Sequence, residues 1–293
     1  MSLLTDTQGT PERVWSVLSA LANLGEQPRP ELERLLNPGV KPNLELVKPV
    51  NIRQVIGAAT SIGGMDGDRT TATTALTSSV LTQALMADWM HDILCGLGPD
   101  DKNAVIFETY AWLAARSDKS GSMAWMHEMN AGTFASAAAE GLLGLDDDGD
   151  VKMNSSKVVA WRRWLNFLGL AVVLPAPMQA QPSPAARLQR ELVRAGVVGQ
   201  TLQAQAFIGL IAERMPYLDR GRLYSQACER LGHPLSSTRL SPLLSVALRD
   251  LHDEGVIEMT QVGDAAGIIR LTDDPTHPIN GFLSVHVTAE PAA

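Results

Sequence analysis

The stretch Ser241–Leu271, SPLLSVALRDLHDEGVIEMTQVGDAAGIIRL, constrains the chain more than any other. Ser241 suits an N-cap and Pro242 the first helical turn. Leu243, Leu244, Ala247, Leu248 and Leu251 then recur at helical spacing and make one apolar face. Gly255 is a stop signal. Val256–Thr260 alternates like a strand, Gln261–Ala266 reads as a turn, and Gly267–Leu271 reads as the return strand.

Upstream, Thr201–Met215 is a helical pattern with Leu202, Phe207, Leu210 and Ile211 as apolar candidates. Gly221–Leu231 is a second, shorter helix, and Gly232-His233-Pro234 breaks the chain before the capped third one. Three helices followed by a strand, a tip and a strand resemble the winged helix-turn-helix superfamily. That resemblance concerns fold and says little about chemistry.

The N-terminal part repeats the plan. Thr10-Pro11 opens a helix with Val14, Trp15, Val17, Leu18, Leu21 and Leu24 on its apolar side, closed by Gly25. Pro30–Leu36 and Val50–Ile62 are two further helices, Gly63-Gly64 stops the last, and Met65–Leu76 reads as a hairpin. Thr77–Leu97 is a long helix with Val80, Leu81, Leu85, Trp89, Ile93 and Leu94 on one side. Lys102–Ser117, Thr133–Leu143 and Ser155–Leu168 are helical, and Ser120–Met129 is ambiguous; the alanine run of Thr133–Leu143 offers little packing bulk. Gly169 precedes a strand at Leu170–Leu174. The glycines at 63, 169 and 255 are spaced too irregularly for a solenoid and suit two or three related units with different insertions.

Pro175–Pro184, PAPMQAQPSP, has four prolines and no charge and reads as a linker. All six tryptophans precede it. The expected fold class is mainly α with small β-hairpins as wings, in tandem winged helix-turn-helix units. The expected organisation is an N-terminal winged-helix-like domain over 1–98 and a helical middle domain over 99–174, with a linker and basic helix over 175–199. A C-terminal winged-helix domain over 200–283 and a frayed tail over 284–293 complete it.

Charge bears on partners. The 293 residues carry a formal charge of −8, yet Ser155–Arg194 holds Lys157, Arg162, Arg163, Arg187, Arg190 and Arg194 against one acid, Glu191. Arg187, Arg190 and Arg194 share one helical face. These six are candidate phosphate contacts, with a solvated face or an acidic protein partner as the other reading. In a winged helix the third helix enters the major groove, which makes Ser245 and Arg249 candidates for DNA reading, and Arg239 joins them. Against this, Asp250, Asp253 and Glu254 crowd the same helix end, and the tip carries Asp264 with no Lys or Arg before Arg270.

Enzyme signatures are missing. The sequence has no GxxxxGK[ST], GxGxxG, GxSxG or HExxH motif. His91 and Cys95 make an incomplete i, i+4 ligand pair, and Asp146–Asp150 lacks calcium-loop spacing. Cys228 reads as core, and Glu108 with His127 is unsupported as an acid–base pair. No cofactor, metal site or catalytic residue is expected. Two distant cysteines suggest reduced thiols. The opening MSLLTDTQGTPER lacks the regions of a secretory signal, and Leu168–Leu174 is too short to span a bilayer, so a cytoplasmic protein without a membrane is expected.

The opening TPERVWSVLSALANLGEQPRPELERLLNP, the helical middle, and the closing LSPLLSVALRDLHDEGVIEM with GIIRL resemble the DpdG family. That family belongs to bacterial gene clusters that place 7-deazaguanine bases in DNA and restrict unmodified DNA. The resemblance covers most of the chain. It implies a non-enzymatic accessory subunit of a DNA-processing or phage-defence system, working beside ATPase, helicase or nuclease partners, with oligomerisation open. It supplies no catalytic residues. The alternative is a dimeric, sequence-specific transcriptional regulator.

Overall fold

A computed structural model describes residues 2–5, 8–36, 50–66, 71–72, 76, 81–142, 149, 151–173, 181–261 and 267–288. It is mainly helical, with small antiparallel sheets. The chain divides into two compact units, 1–104 with 156–168, and 105–155 with 169–293.

In the first unit, α1 (Pro11–Leu24) starts after Thr10 with Pro11 in its first turn, and buries Val14, Val17, Leu18 and Leu21. Gly25, at φ 71°, closes it by donating to the Leu21 carbonyl. α2 (Arg29–Leu35) and α3 (Val50–Ser61) follow, then β1 (Met65–Asp66) pairs antiparallel with β2 (Thr71–Ala72). The expected three helices and hairpin are therefore present.

α4 (Gln83–Gly96) begins later than its expected start at Thr77. Thr82 caps it by accepting from the Leu85 N–H at 3.1 Å. That start turns Met86, Ala87, Met90, His91 and Leu94 inward, and leaves Leu85 half-exposed instead of buried. Residues 77–80 lie outside the described residues.

After the second unit's first segment, the chain returns to the first unit as α7 (Ser155–Phe167), which buries Trp161 and Trp164. The Trp164 indole donates to the Leu3 carbonyl at 3.3 Å, and the Leu3 N–H donates to the Asn103 side chain at 2.9 Å. The fully buried Leu3 is thus held from two places far along the chain.

The second unit is built on α5 (Val105–Ser120), buried on nearly every face, as expected of a helix at a domain centre. α6 (Ala131–Leu142) packs on it. Its small residues have a purpose that the alanine run did not convey. A Cβ on Gly141 would lie within 1.9 Å of the Trp112 indole nitrogen, so only glycine admits that ring. Between them, Ala124–Met126 is one 3-10 turn, and Trp125 meets Trp112 edge-on at 5.8 Å under the Arg116 guanidinium.

β3 (Ala171–Val172) pairs with β4 (Gln181–Pro182), so the last residues of the expected linker form a hairpin strand; 174–180 lie outside the described residues. α8 (Ala185–Arg194) follows.

The C-terminal block runs β5 (Thr201–Gln203), α9 (Ala204–Arg214), α10 (Arg222–Leu231), α11 (Pro242–Asp253), β6 (Ile257–Thr260), β7 (Ile269–Arg270), β8 (Gly281–Phe282) and β9 (Ser284–Val287). Two expectations are corrected here. Thr201–Gln203 is a strand and not the start of a helix. The return strand for β6 is β9, not Gly267–Leu271, whose strand β7 pairs with β8 instead. β9 lies between β5 and β6 in a three-stranded antiparallel sheet. It alternates, with Val285 and Val287 fully buried against the core beside Ile257 and Met259. The segment expected to fray is the centre of the sheet, because its two valines supply the buried face. Residues 262–266 of the tip, including Asp264, and 289–293 lie outside the described residues.

Candidate nucleic-acid interface

α11 is the element on which DNA reading was expected to depend. Its leucines Leu244, Leu248 and Leu251 are fully buried, each contributing about 2 kcal/mol over exposure. Its start is held from below. The Ser241 hydroxyl accepts from the Leu244 N–H and donates to Asp219 Oδ2 at 2.7 Å, while the Ser241 N–H donates to Asp219 Oδ1 at 2.6 Å. Burial pushes the Asp219 carboxyl up to about 6, against the Ser241 hydrogen bonds, which lower it.

The opposite face of α11 is covered too, and Ser245 and Arg249 are turned to the chain's own backbone. Ser245 is buried and its hydroxyl accepts from the Thr272 N–H at 2.9 Å. Arg249 is buried, its Nε donating to the Ile279 carbonyl at 3.1 Å and its Nη2 to the Thr272 and Ile279 carbonyls at 2.9 Å. Burial lowers the Arg249 pKa, while Asp274 and Asp273 raise it. Both side chains fasten the irregular segment from β7 to β8 onto the helix, and neither is presented to a base edge. The residues α11 does present are Val246, 45% exposed, and Asp250, Asp253 and Glu254. Partial burial raises the Asp250 carboxyl, and Glu254 and Asp253 raise it further.

A second buried carboxylate ties α10 and the α10–α11 connector to α5. Asp118 Oδ2 accepts from the Tyr224 hydroxyl at 2.9 Å and lies 2.7 Å from His233 Nε2, and its Oδ1 accepts from Arg239 Nη2 at 3.0 Å. Tyr224 is held protonated, its pKa raised by burial and by the nearby Asp219 and Asp118. The sequence carried no signal for this cluster, whose partners lie 106 to 121 residues from Asp118. Arg239 therefore has a structural partner, yet 42% of its side chain stays exposed.

The positive stretch is divided between the units, α7 in the first and α8 in the second. Lys157 is buried on α7, Arg162 half-buried and Arg163 exposed. Arg187 is fully buried on α8 and pairs with Glu191 at 3.2 Å. Arg194 pairs with the same carboxylate at 2.6 Å, as does Arg214 at 3.2 Å. Arg190 and Arg194 are half-buried. Lys157 and Arg187, like Ser245 and Arg249, are buried, away from where a phosphate would meet them. The run of positives looked like one face because helix spacing reports which residues align, not which side is covered.

The remaining polar candidates have settings of their own. Glu108 pairs with Lys152 at 3.2 Å, while His127 is exposed. His91 and Cys95 face each other, with Sγ 3.7 Å from Nε2. Burial pushes the Cys228 thiol up to about 11, the behaviour of a core cysteine. In the first unit an open cleft of about 590 Å³ is lined by Arg29, Arg53, Asp100, Asp101 and Lys102 among others, with both arginines turned to Glu33. Asp146–Asp150 lies outside the described residues except for Gly149. Among the described residues, no helix is long and apolar enough to cross a membrane.

A family model described as DpdG-like matches residues 1–265. The chain belongs to the DpdG-like family. Membership associates it with DNA-modification systems, in an accessory role. No curated protein and no solved structure matches it. The DpdG-like match stops short of β7, β8 and β9, the strands that close the C-terminal block.

Proposed function

We propose that this DpdG-like chain is a non-enzymatic, cytoplasmic accessory subunit of a bacterial DNA-processing or phage-defence system. It docks other products of the same gene cluster and contacts duplex DNA without reading its sequence. Its C-terminal block is a winged helix-turn-helix, supported by three helices between β5 and β6 and by the strand order β5-β9-β6. The α1–α3 bundle with its β1–β2 hairpin follows the same plan, giving a tandem arrangement. Among the expected DNA contacts, Arg162, Arg163, Arg190, Arg194 and Arg239 keep some surface.

One observation favours an accessory role over a sequence-specific regulator. The outward face of α11 is Val246, Asp250, Asp253 and Glu254, while Ser245 and Arg249 are used inside. Acidic side chains on a recognition helix repel phosphate and supply only the donor-seeking half of a base code. Two experiments test the reading. Tagged in its own gene cluster, the chain is expected to co-purify with larger products of that cluster. Selection from a randomised duplex library is expected to enrich no motif. A palindromic motif with half-sites about one helical turn apart would favour the regulator instead.

A further inference from the structure

We propose that the α10–α11 connector, with the end of α5 and strand β7, is a docking surface for the phosphodiester backbone of duplex DNA. The proposal rests on the helix-turn-helix reading of the C-terminal block and not on the accessory role. Five cationic side chains from separate parts of the sequence meet there: Lys119, Arg220, Arg230, Arg239 and Arg270. The contacts that bring them together are on the backbone and at Asp118. Lys119 Nζ donates to the Leu231 carbonyl at 2.7 Å, which places it beside Arg230 at the end of α10. Arg239 reaches Asp118, the residue before Lys119. The Arg270 N–H donates to the Thr238 carbonyl at 2.7 Å and the Leu240 N–H to the Arg270 carbonyl at 2.9 Å, so β7 runs alongside Arg239. Arg220 is held in the left-handed region at φ 65°, and its guanidinium donates to the Ser237 carbonyl and to Gln205.

Lys119, Arg230, Arg239 and Arg270 are exposed, and Arg220 is half-buried. Among the described residues, Arg230 and Arg270 enter no ion pair. The acids of the same region are Asp118, already engaged by three donors, the buried Asp219 beside Arg220, which accepts twice from Ser241, and Glu229 at the surface. The connector adds exposed hydroxyls at Ser237 and Thr238. Arginine, lysine and small hydroxyls are the side chains that hold phosphate oxygens.

The placement fits one partner. The patch lies at the N-terminal end of α11, while Asp250, Asp253 and Glu254 lie at the other end, about 15 Å along a twelve-residue helix. A helix-turn-helix approaches DNA with the N-terminal end of its second helix and the backbone-crossing first helix. Those are the parts that are positive here, and the acidic end points along the helix away from them.

The test is fluorescence anisotropy of a labelled random-sequence duplex with the full chain, across a series from about 25 to 200 mM salt. Wild type is set beside a Lys119→Ala/Arg230→Ala/Arg270→Ala variant, with the exposed Arg34→Ala as a control from the first unit. The expected result is a salt slope about 2.7 units shallower in the triple variant, 0.9 per lost contact, and an unchanged slope in the control. Thermal unfolding verifies that the triple variant is folded; should it be destabilised, the Arg230→Ala and Arg270→Ala single variants are each expected to lose about 0.9 units. Equal slopes in wild type and variants would overturn the proposal, as would absence of wild-type binding at the lowest salt. Equal slopes with binding retained would leave the duplex contact of the proposed function standing, absence of wild-type binding would remove it, and the co-purification reads the accessory role independently of both.

Discussion

Asp219 and Asp118 show how single buried carboxylates organise the C-terminal block. Asp219 is raised to about 6 by burial, above the value of about 3.9 in an unfolded chain. The folded chain therefore holds that proton more tightly than the unfolded chain. The resulting stabilisation is fully present below pH about 4 and is lost as pH rises through about 6. Asp219→Asn mimics the protonated form. Relative to that variant, wild type is expected to lose about 3 kcal/mol between pH 4 and pH 7 in urea unfolding; parallel curves would show that Asp219 ionises freely. Asp118→Asn leaves Arg239 and His233 facing a neutral group, and a loss of about 2–4 kcal/mol is expected at neutral pH by the same assay. Neither aspartate was legible in the sequence, where each is one acid among 32. Ser245 and Arg249 were legible as the non-leucine face of α11. Their burial was not, because the segment that covers them starts beyond Leu271 and carries no periodic pattern of its own.

At the scale of elements, helices were readable because caps, proline and glycine mark their ends chemically: Pro11, Gly25, Ser241-Pro242 and Gly255 all act where they stand. Strand pairing was not readable. Gly267–Leu271 and Ser284–Val287 are both short and β-rich, and each buries an alternating apolar pair, Ile269 with Leu271 and Val285 with Val287, so the pattern does not say which of them pairs with β6. Truncation after Leu283 removes β9 and exposes the inner face of β6. Loss of cooperative unfolding in the C-terminal block is expected by calorimetry, and a transition unchanged from wild type would contradict the assigned topology. α6 offers a test of packing. Gly141→Ala sets a methyl against the Trp112 ring, and a cost of about 1–3 kcal/mol is expected in urea unfolding, together with an altered near-UV tryptophan signal.

For the molecule as a whole, a net charge of −8 conceals its arrangement. The positives that cluster in sequence, Lys157 to Arg194, are divided between two units and partly buried. The positives that cluster in space come from α5, α10, the connector and β7, spread across about half the chain. Composition and local patterns report the first kind of cluster; only the tertiary fold reports the second. From the family match and this distribution we propose an accessory subunit that touches the DNA backbone and leaves sequence unread. α11 uses its buried polar residues, Ser245 and Arg249, to hold the fold. Arg249→Met keeps the bulk of the side chain and removes its donors to Ile279 and Thr272. Measured together, thermal unfolding and duplex affinity at one salt concentration decide the matter. The account expects a fall of about 5–10 °C in Tm, from about 2–3 kcal/mol of lost buried hydrogen bonding, with duplex affinity unchanged below that transition. An unchanged Tm with affinity reduced about tenfold or more would contradict it and return Arg249 to the DNA.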